Sequence, residues 1–204
     1  EVAHEAGVDD PRFSVGAVFL DYDRDGDLDL FVGNYVQYDD AYNRKHGTAN
    51  RFPGPLSYDP QPDQLYRNEG HGRFTNVTRA AGLGPPGRAM GAGSFDFDDD
   101  GWPDIFAAND AMENHLYRNL RQGTFKECAL LTGVALGANG NATGAMGIEV
   151  GDVDGDGRLD FYVPDFAQSC LYMNQGQGFF DDRALQAGIV KAVGQHIKWG
   201  AALA

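Results

Sequence analysis

Five aspartates fall on alternate residues in DYDRDGDLDLF, Asp21 to Phe31, and then the chain turns apolar. Carboxylates this close repel one another, so their crowding requires a partner of opposite charge. The arrangement recurs in DFDDDGWPDIF, Asp96 to Phe106, and in DVDGDGRLDFY, Asp152 to Tyr162. All three read D-x-D-x-D-G-x-x-D followed by apolar or aromatic residues. A single Asp-Gly turn between strands is ordinary. The same spacing three times in 204 residues is not.

The chemistry suits a hard divalent cation. Calcium takes six to eight oxygen ligands in a flexible shell, whereas magnesium demands strict octahedral geometry and keeps its waters. Zinc calls for Cys or His, and the loops contain neither. Side chains at loop positions 1, 3 and 5 converge if the backbone curls around the ion, and the glycine at position 6 permits the sharp turn. This assigns Asp21, Asp23 and Asp25 in the first loop, Asp96, Asp98 and Asp100 in the second, and Asp152, Asp154 and Asp156 in the third. Position 7 is expected to give a backbone carbonyl, which leaves its side chain free: Asp27, Trp102 or Arg158. Position 9 supplies a further carboxylate, Asp29, Asp104 or Asp160. An EF-hand would need a bidentate Glu at position 12, but Val32, Ala107 and Val163 stand there. Position 9 leads instead into β-branched and aromatic runs that read as strands.

Other elements repeat around these loops. LYRNEGHGRF (65–74), LYRNLRQGTF (116–125) and LYMNQGQGFF (171–180) each predict a strand, a Gly-rich turn and a second strand. TNVTRAAGL (75–83), KECALLTGV (126–134) and DDRALQAGI (181–189) follow, with single helical turns at most, and the opening EVAHEAGV matches them. Gly16, Gly91 and Gly147 each precede a first aspartate by five residues. The same spacing from Gly200 places the next aspartate at 205. The expectation is therefore that residues 1–204 form one fragment of a longer repeat protein, with residues 34–63 inserted in the first repeat. Repeats of this size with four strands each mark a β-propeller: an all-β fold of four-stranded blades, whose small sheets bury both faces against their neighbours. A solenoid is the second choice.

Composition narrows the function classes. The formal net charge is −14, and the loops carry 14 of the 30 acidic residues. Much of the acidity is thus local ligand. No basic stripe exists to meet nucleic-acid phosphate. No apolar run is long enough to span a membrane. Cys128 replaces an apolar position of the repeat and reads as a buried free thiol, with a disulfide to Cys170 as the alternative.

The aspartate loops resemble those of the FG-GAP/VCBS propeller repeats, a family that includes the heads of integrin α-subunits. The LYRNEGHGRF and VTRAAGL elements are similar to the ASPIC/UnbV branch, which includes cartilage acidic protein-like and many bacterial secreted proteins. That branch often has a Cys before the Gly-Pro of GPLSYDPQPDQLYRN; here the residue is Pro53. The resemblance implies calcium bound between strands of a blade, and a full propeller of about seven blades, three to four of them in this chain.

Millimolar calcium points outside the cytosol, to a secreted, periplasmic or cell-surface protein. The insert offers Tyr35, Tyr38, Tyr42, Phe52 and Tyr58 beside Arg44, Lys45, His46 and Arg51. Two readings stand: a binding loop or a loop that packs over the propeller face. No G-x-S-x-G, H-E-x-x-H or C-x-x-C-H motif occurs, and Asp110 and Glu113 read as solvated loop residues rather than a catalytic pair. The leading expectation is a non-catalytic interaction scaffold for a protein partner. A glycan-binding propeller is the second, and an accessory or catalytic protein of UnbV-like secondary metabolism the third.

Overall fold

The computed structural model describes residues 2–48, 51–166, 168–193 and 196–202. Expectations for the ends of the chain, Glu1 and Leu203–Ala204, lie outside these residues, as do positions 49 and 50 of the insert. The strands form three four-stranded antiparallel meanders. The first comprises β1 (Ser14–Leu20), β2 (Asp29–Asn34), β3 (Gln64–Asn68) and β4 (Phe74–Asn76). The second comprises β5 (Ala89–Phe95), β6 (Asp104–Met112), β7 (His115–Asn119) and β8 (Phe125–Glu127). A short strand, β9 (Thr143–Gly144), pairs with the far end of β6. The third meander comprises β10 (Glu149–Gly151), β11 (Asp160–Val163), β12 (Cys170–Asn174) and β13 (Phe180–Asp182). These are blades of a β-propeller.

Blade stacking follows from the two-residue period of a strand. Along β6, Ile105 and Ala107 face the cluster shared with the first blade, with Phe31, Leu65, Tyr117 and Phe125. Phe106 and Ala108 face the other way, into the cluster shared with the third blade around Phe161 and Tyr172. Phe161 sits 4.9 Å from Phe106 and 5.3 Å from Phe95 between ring centroids, spacings at which aromatic pairs attract. A strand sandwiched in this way is buried on both faces, which explains its continuous apolar run.

Two sets of repeated glycines mark where blades touch. A Cβ on Gly16 would lie 2.9 Å from Gly91 Cα, and one on Gly91 would lie 2.6 Å from Gly147 Cα. The first strands therefore pack backbone against backbone, and the glycine five residues before each loop leaves room for that approach. The second set has φ of +79° at Gly7, +72° at Gly82 and +88° at Gly133. Each lies under a carbonyl of the blade that follows it: Phe74, Phe125 or Phe180. Among the described residues, α-helix is confined to α1 (Ala3–Ala6), α2 (Asp40–His46), α3 (Ala129–Thr132) and α4 (Ile189–Val193), with a 3-10 turn at Pro55–Ser57.

Cys128 and Cys170 are both free and buried, and burial raises the pKa of each thiol. No helix among the described residues is long and apolar enough to cross a membrane.

Candidate metal centres

Each aspartate loop joins the first two strands of a blade, at the same end in all three. Loop curvature comes from two left-handed residues. Position 6 is glycine, with φ of +95° at Gly26, +86° at Gly101 and +89° at Gly157. Position 4 is also left-handed, at Arg24 (60°), Asp99 (56°) and Gly155 (76°). The position-1 carboxylate closes the turn by accepting the position-6 N–H: Gly26 to Asp21 at 3.2 Å, Gly101 to Asp96 at 2.7 Å and Gly157 to Asp152 at 2.9 Å.

Three carboxylates converge in every loop. Asp21, Asp23 and Asp29 bring one oxygen each within 4.8 Å of the others, as do Asp96, Asp98 and Asp104, and Asp152, Asp154 and Asp160. These are positions 1, 3 and 9. Position 5 lies outside the convergent sets. Asp25, Asp100 and Asp156 each accept the N–H of position 7, from Asp27 at 2.9 Å, Trp102 at 3.0 Å and Arg158 at 2.9 Å. The second oxygen of Asp100 pairs with Arg121 at 3.0 Å, and that of Asp156 with Arg158. At position 7, the Trp102 ring lies under the Arg24 guanidinium at 5.2 Å.

Position 9 is the most deeply anchored. Asp29, Asp104 and Asp160 are at most 1% exposed. One oxygen of each accepts the N–H of position 2: Tyr22 at 3.1 Å, Phe97 at 3.1 Å or Val153 at 2.9 Å. The other accepts the N–H of the asparagine that ends the third strand: Asn68 at 2.8 Å, Asn119 at 2.7 Å or Asn174 at 2.7 Å. The asparagine side chain then fastens the loop. Asn119 donates to Tyr22 O at 2.8 Å and Asn174 to Phe97 O at 3.0 Å, each reaching back to the loop of the preceding blade. The asparagine repeats visibly in the sequence as LYRN, LYRN and LYMN, but its task in positioning the loops depends on contacts between blades.

The donor set fits a cation. Among the described residues, Asp21 Oδ1, Asp23 Oδ1 and Asp98 Oδ1 are buried without a hydrogen-bond partner, a costly state for a carboxylate oxygen. Burial raises the pKa of Asp23 and Asp98, and lifts that of Asp29 to about 6 and that of Asp104 to about 7. An arginine leans on position 3 of the second loop, where Arg118 lies 2.6 Å from Asp98. The equivalent residue of the third blade is Met173.

The opposite end of the blades departs from expectation at one residue. Asp110 is not solvated: it is 7% exposed and accepts the Tyr35 hydroxyl at 2.6 Å. The insert covers it, whereas Glu113 stays exposed. Within the insert, Tyr38 and Tyr42 pack against Tyr58 at 5.8 and 5.7 Å, and Arg88 of the second blade donates to Tyr58 O at 3.1 Å.

The model of the FG-GAP-like repeat matches residues 56–107 and 96–163, more than half of the chain. No curated protein sequence matches significantly. Among solved structures, the chain is similar to an exotype rhamnogalacturonan lyase, YesX, at 15% identity and a TM-score of 0.38. That match covers 81% of this chain and 37% of the lyase.

Proposed function

The chain belongs to the FG-GAP-like repeat family, and from that premise we propose that its three loops bind calcium and that the propeller serves as a non-catalytic interaction scaffold outside the cytosol. The observation that carries the metal reading is the convergence of positions 1, 3 and 9 in every loop, with Asp21 Oδ1, Asp23 Oδ1 and Asp98 Oδ1 of the first two loops buried and without a partner among the described residues. Asp21, Asp23 and Asp29 would hold the first ion, and their counterparts the second and third. The position-5 carboxylates and position-7 carbonyls would complete the oxygen shells that calcium prefers. The ion would tie the first two strands of each blade together where carboxylate repulsion otherwise splays the loop. Sites of the extracellular kind have dissociation constants of roughly 10⁻⁴–10⁻³ M, matched to calcium outside cells.

Terbium tests the site. Trp102 sits inside the second loop, so Tb³⁺ bound there gains luminescence on tryptophan excitation, and calcium should displace it. Emission that millimolar calcium leaves unchanged would contradict the reading. The scaffold role predicts a discrete, heavier complex on native purification in calcium; a lone monomer under those conditions opposes it.

A further inference from the structure

Seven buried side-chain nitrogen or oxygen atoms lack a partner among the described residues. Three belong to the aspartate loops. The other four, Asp63 Oδ2, Arg88 Nε, Thr143 Oγ1 and Ser169 Oγ, lie at the opposite end of the blades. That end holds a cavity of about 460 Å³ between the second and third blades, within the usual range for small-molecule sites of roughly 300–1,000 Å³.

The repeat itself breaks where the cavity forms. Five residues after the position-9 aspartate stand Asn34, Asn109 and, in the third blade, Asp165. One residue further on stand Tyr35, Asp110 and Phe166. Equivalent positions of successive blades meet around this end, so Tyr35 reaches Asp110, while Asp110 and Phe166 both line the cavity. The third blade exchanges the amide of the other two repeats for a carboxylate.

The strand β9 fixes the floor. It is held on one side by β6, through Asp110 and Met112. On the other side Gly144 N–H donates to Asp165 Oδ2, and Phe166 N–H donates to Gly144 O at 3.0 Å. Gly144 leaves the floor bare. A Cβ there would come within 3.4 Å of Asp110 Oδ1, 3.6 Å of Asp165 Oδ2 and 3.0 Å of Phe166 Cβ. Thr143, 8% exposed, also lines the cavity, but its hydroxyl is itself buried and has no partner among the described residues. Pro55 of the insert forms part of the wall.

We infer that this cavity binds a neutral saccharide, seated over Gly144 with its hydroxyls on Asp110 and Asp165 and its apolar face on Phe166. Two carboxylates in the lining disfavour phosphate or a carboxylated ligand. An ammonium ion donates only, and so would offer no acceptor to the NH2 groups of Asn139 and Gln168, also in the lining. Sugar hydroxyls donate and accept, and match both kinds of group. Phe166 is 56% exposed at the rim, and the negative face of an aromatic ring favours the C–H face of a pyranose. This site stands apart from the metal loops.

Saturation-transfer NMR on the chain in saturating calcium tests the inference. The probes are the methyl glycosides of glucose, galactose, mannose and xylose, with butylammonium and inorganic phosphate as competing classes. At least one glycoside is expected to bind saturably. Asp165→Asn restores the residue type of the other two repeats, and Phe166→Ala alters an exposed ring. Each should weaken that binding by about tenfold or more, and Phe166→Ala should do so with an unchanged melting temperature in calcium. The inference is overturned if no glycoside binds, if the variants bind as well as the parent, or if butylammonium or phosphate binds in place of the glycosides. A failure of the calcium reading would appear separately, as a melting temperature that ignores calcium.

Discussion

Replacing Asp98 with Asn should have opposite consequences with and without metal. Asp98 Oδ1 is buried with no partner among the described residues, and burial raises its pKa, so without metal the charged group opposes folding. Its favourable contact is the pair with Arg118, which is 47% exposed and worth about 0–1 kcal/mol. In chelator, Asp98→Asn should therefore leave stability within about 1 kcal/mol of the parent. In calcium at tenfold the dissociation constant, each occupied site adds about 1.4 kcal/mol. Losing the second site should then cost about 1.4 kcal/mol, or about 3–6 °C in melting temperature for a chain of this size. Thermal unfolding followed by far-UV circular dichroism, in EDTA and in calcium, reads both numbers. An equal loss of melting temperature in the two buffers would falsify the argument, because it would make Asp98 a structural carboxylate with no metal role.

Other outcomes follow from the same geometry. Arg118→Met, which copies Met173 of the third blade, removes a cation beside Asp98 and should tighten calcium at the second loop about threefold to tenfold, measured by calcium displacement of terbium. Gly91→Ala drives a Cβ to 2.6 Å from Gly147 Cα. Backbone cannot step aside there, so the variant should lose about 1–3 kcal/mol or more in denaturant unfolding, while Gly54→Ala, with open space around its Cα, should be neutral. Asp29 and Asp104 titrate at about 6 and about 7 in the folded chain, above the unfolded value near 3.9. A raised carboxylate pKa favours the fold at low pH, and that contribution is lost as pH rises through 6 to 7. Chelated protein should therefore lose stability across that window, and the stabilisation by calcium should grow across it, because protons and metal compete for the same oxygens. A calcium increment that stays flat from pH 5 to 8 would oppose this.

The sequence made the blades and the loops legible because both are written locally. D-x-D-x-D-G-x-x-D fixes a turn and gathers carboxylates within nine residues, and a strand buried on both faces shows as an apolar run such as Ile105–Ala108. Spacing revealed Gly16, Gly91 and Gly147, but not that they stack against one another, which depends on neighbouring blades packing face to face. The same limit hid the asparagine of LYRN, whose side chain serves the preceding loop. It also hid Asp110, which reads as solvated until Tyr35 arrives from 75 residues away. Positions 1, 3 and 9 converge as the spacing suggests, while position 5 turns its carboxylate to the position-7 N–H. That alternative is a short-range hydrogen bond, of the kind aspartate readily makes in turns.

The most direct test of the metal reading is the calcium stoichiometry of chelator-stripped protein, measured by equilibrium dialysis with ⁴⁵Ca²⁺ for the parent chain and for Asp98→Asn. Three convergent carboxylate sets predict three ions per parent chain, bound with dissociation constants of roughly 10⁻⁴–10⁻³ M, and two per variant chain. No saturable binding to the parent in that range, or equal stoichiometry in the two proteins, would contradict the account.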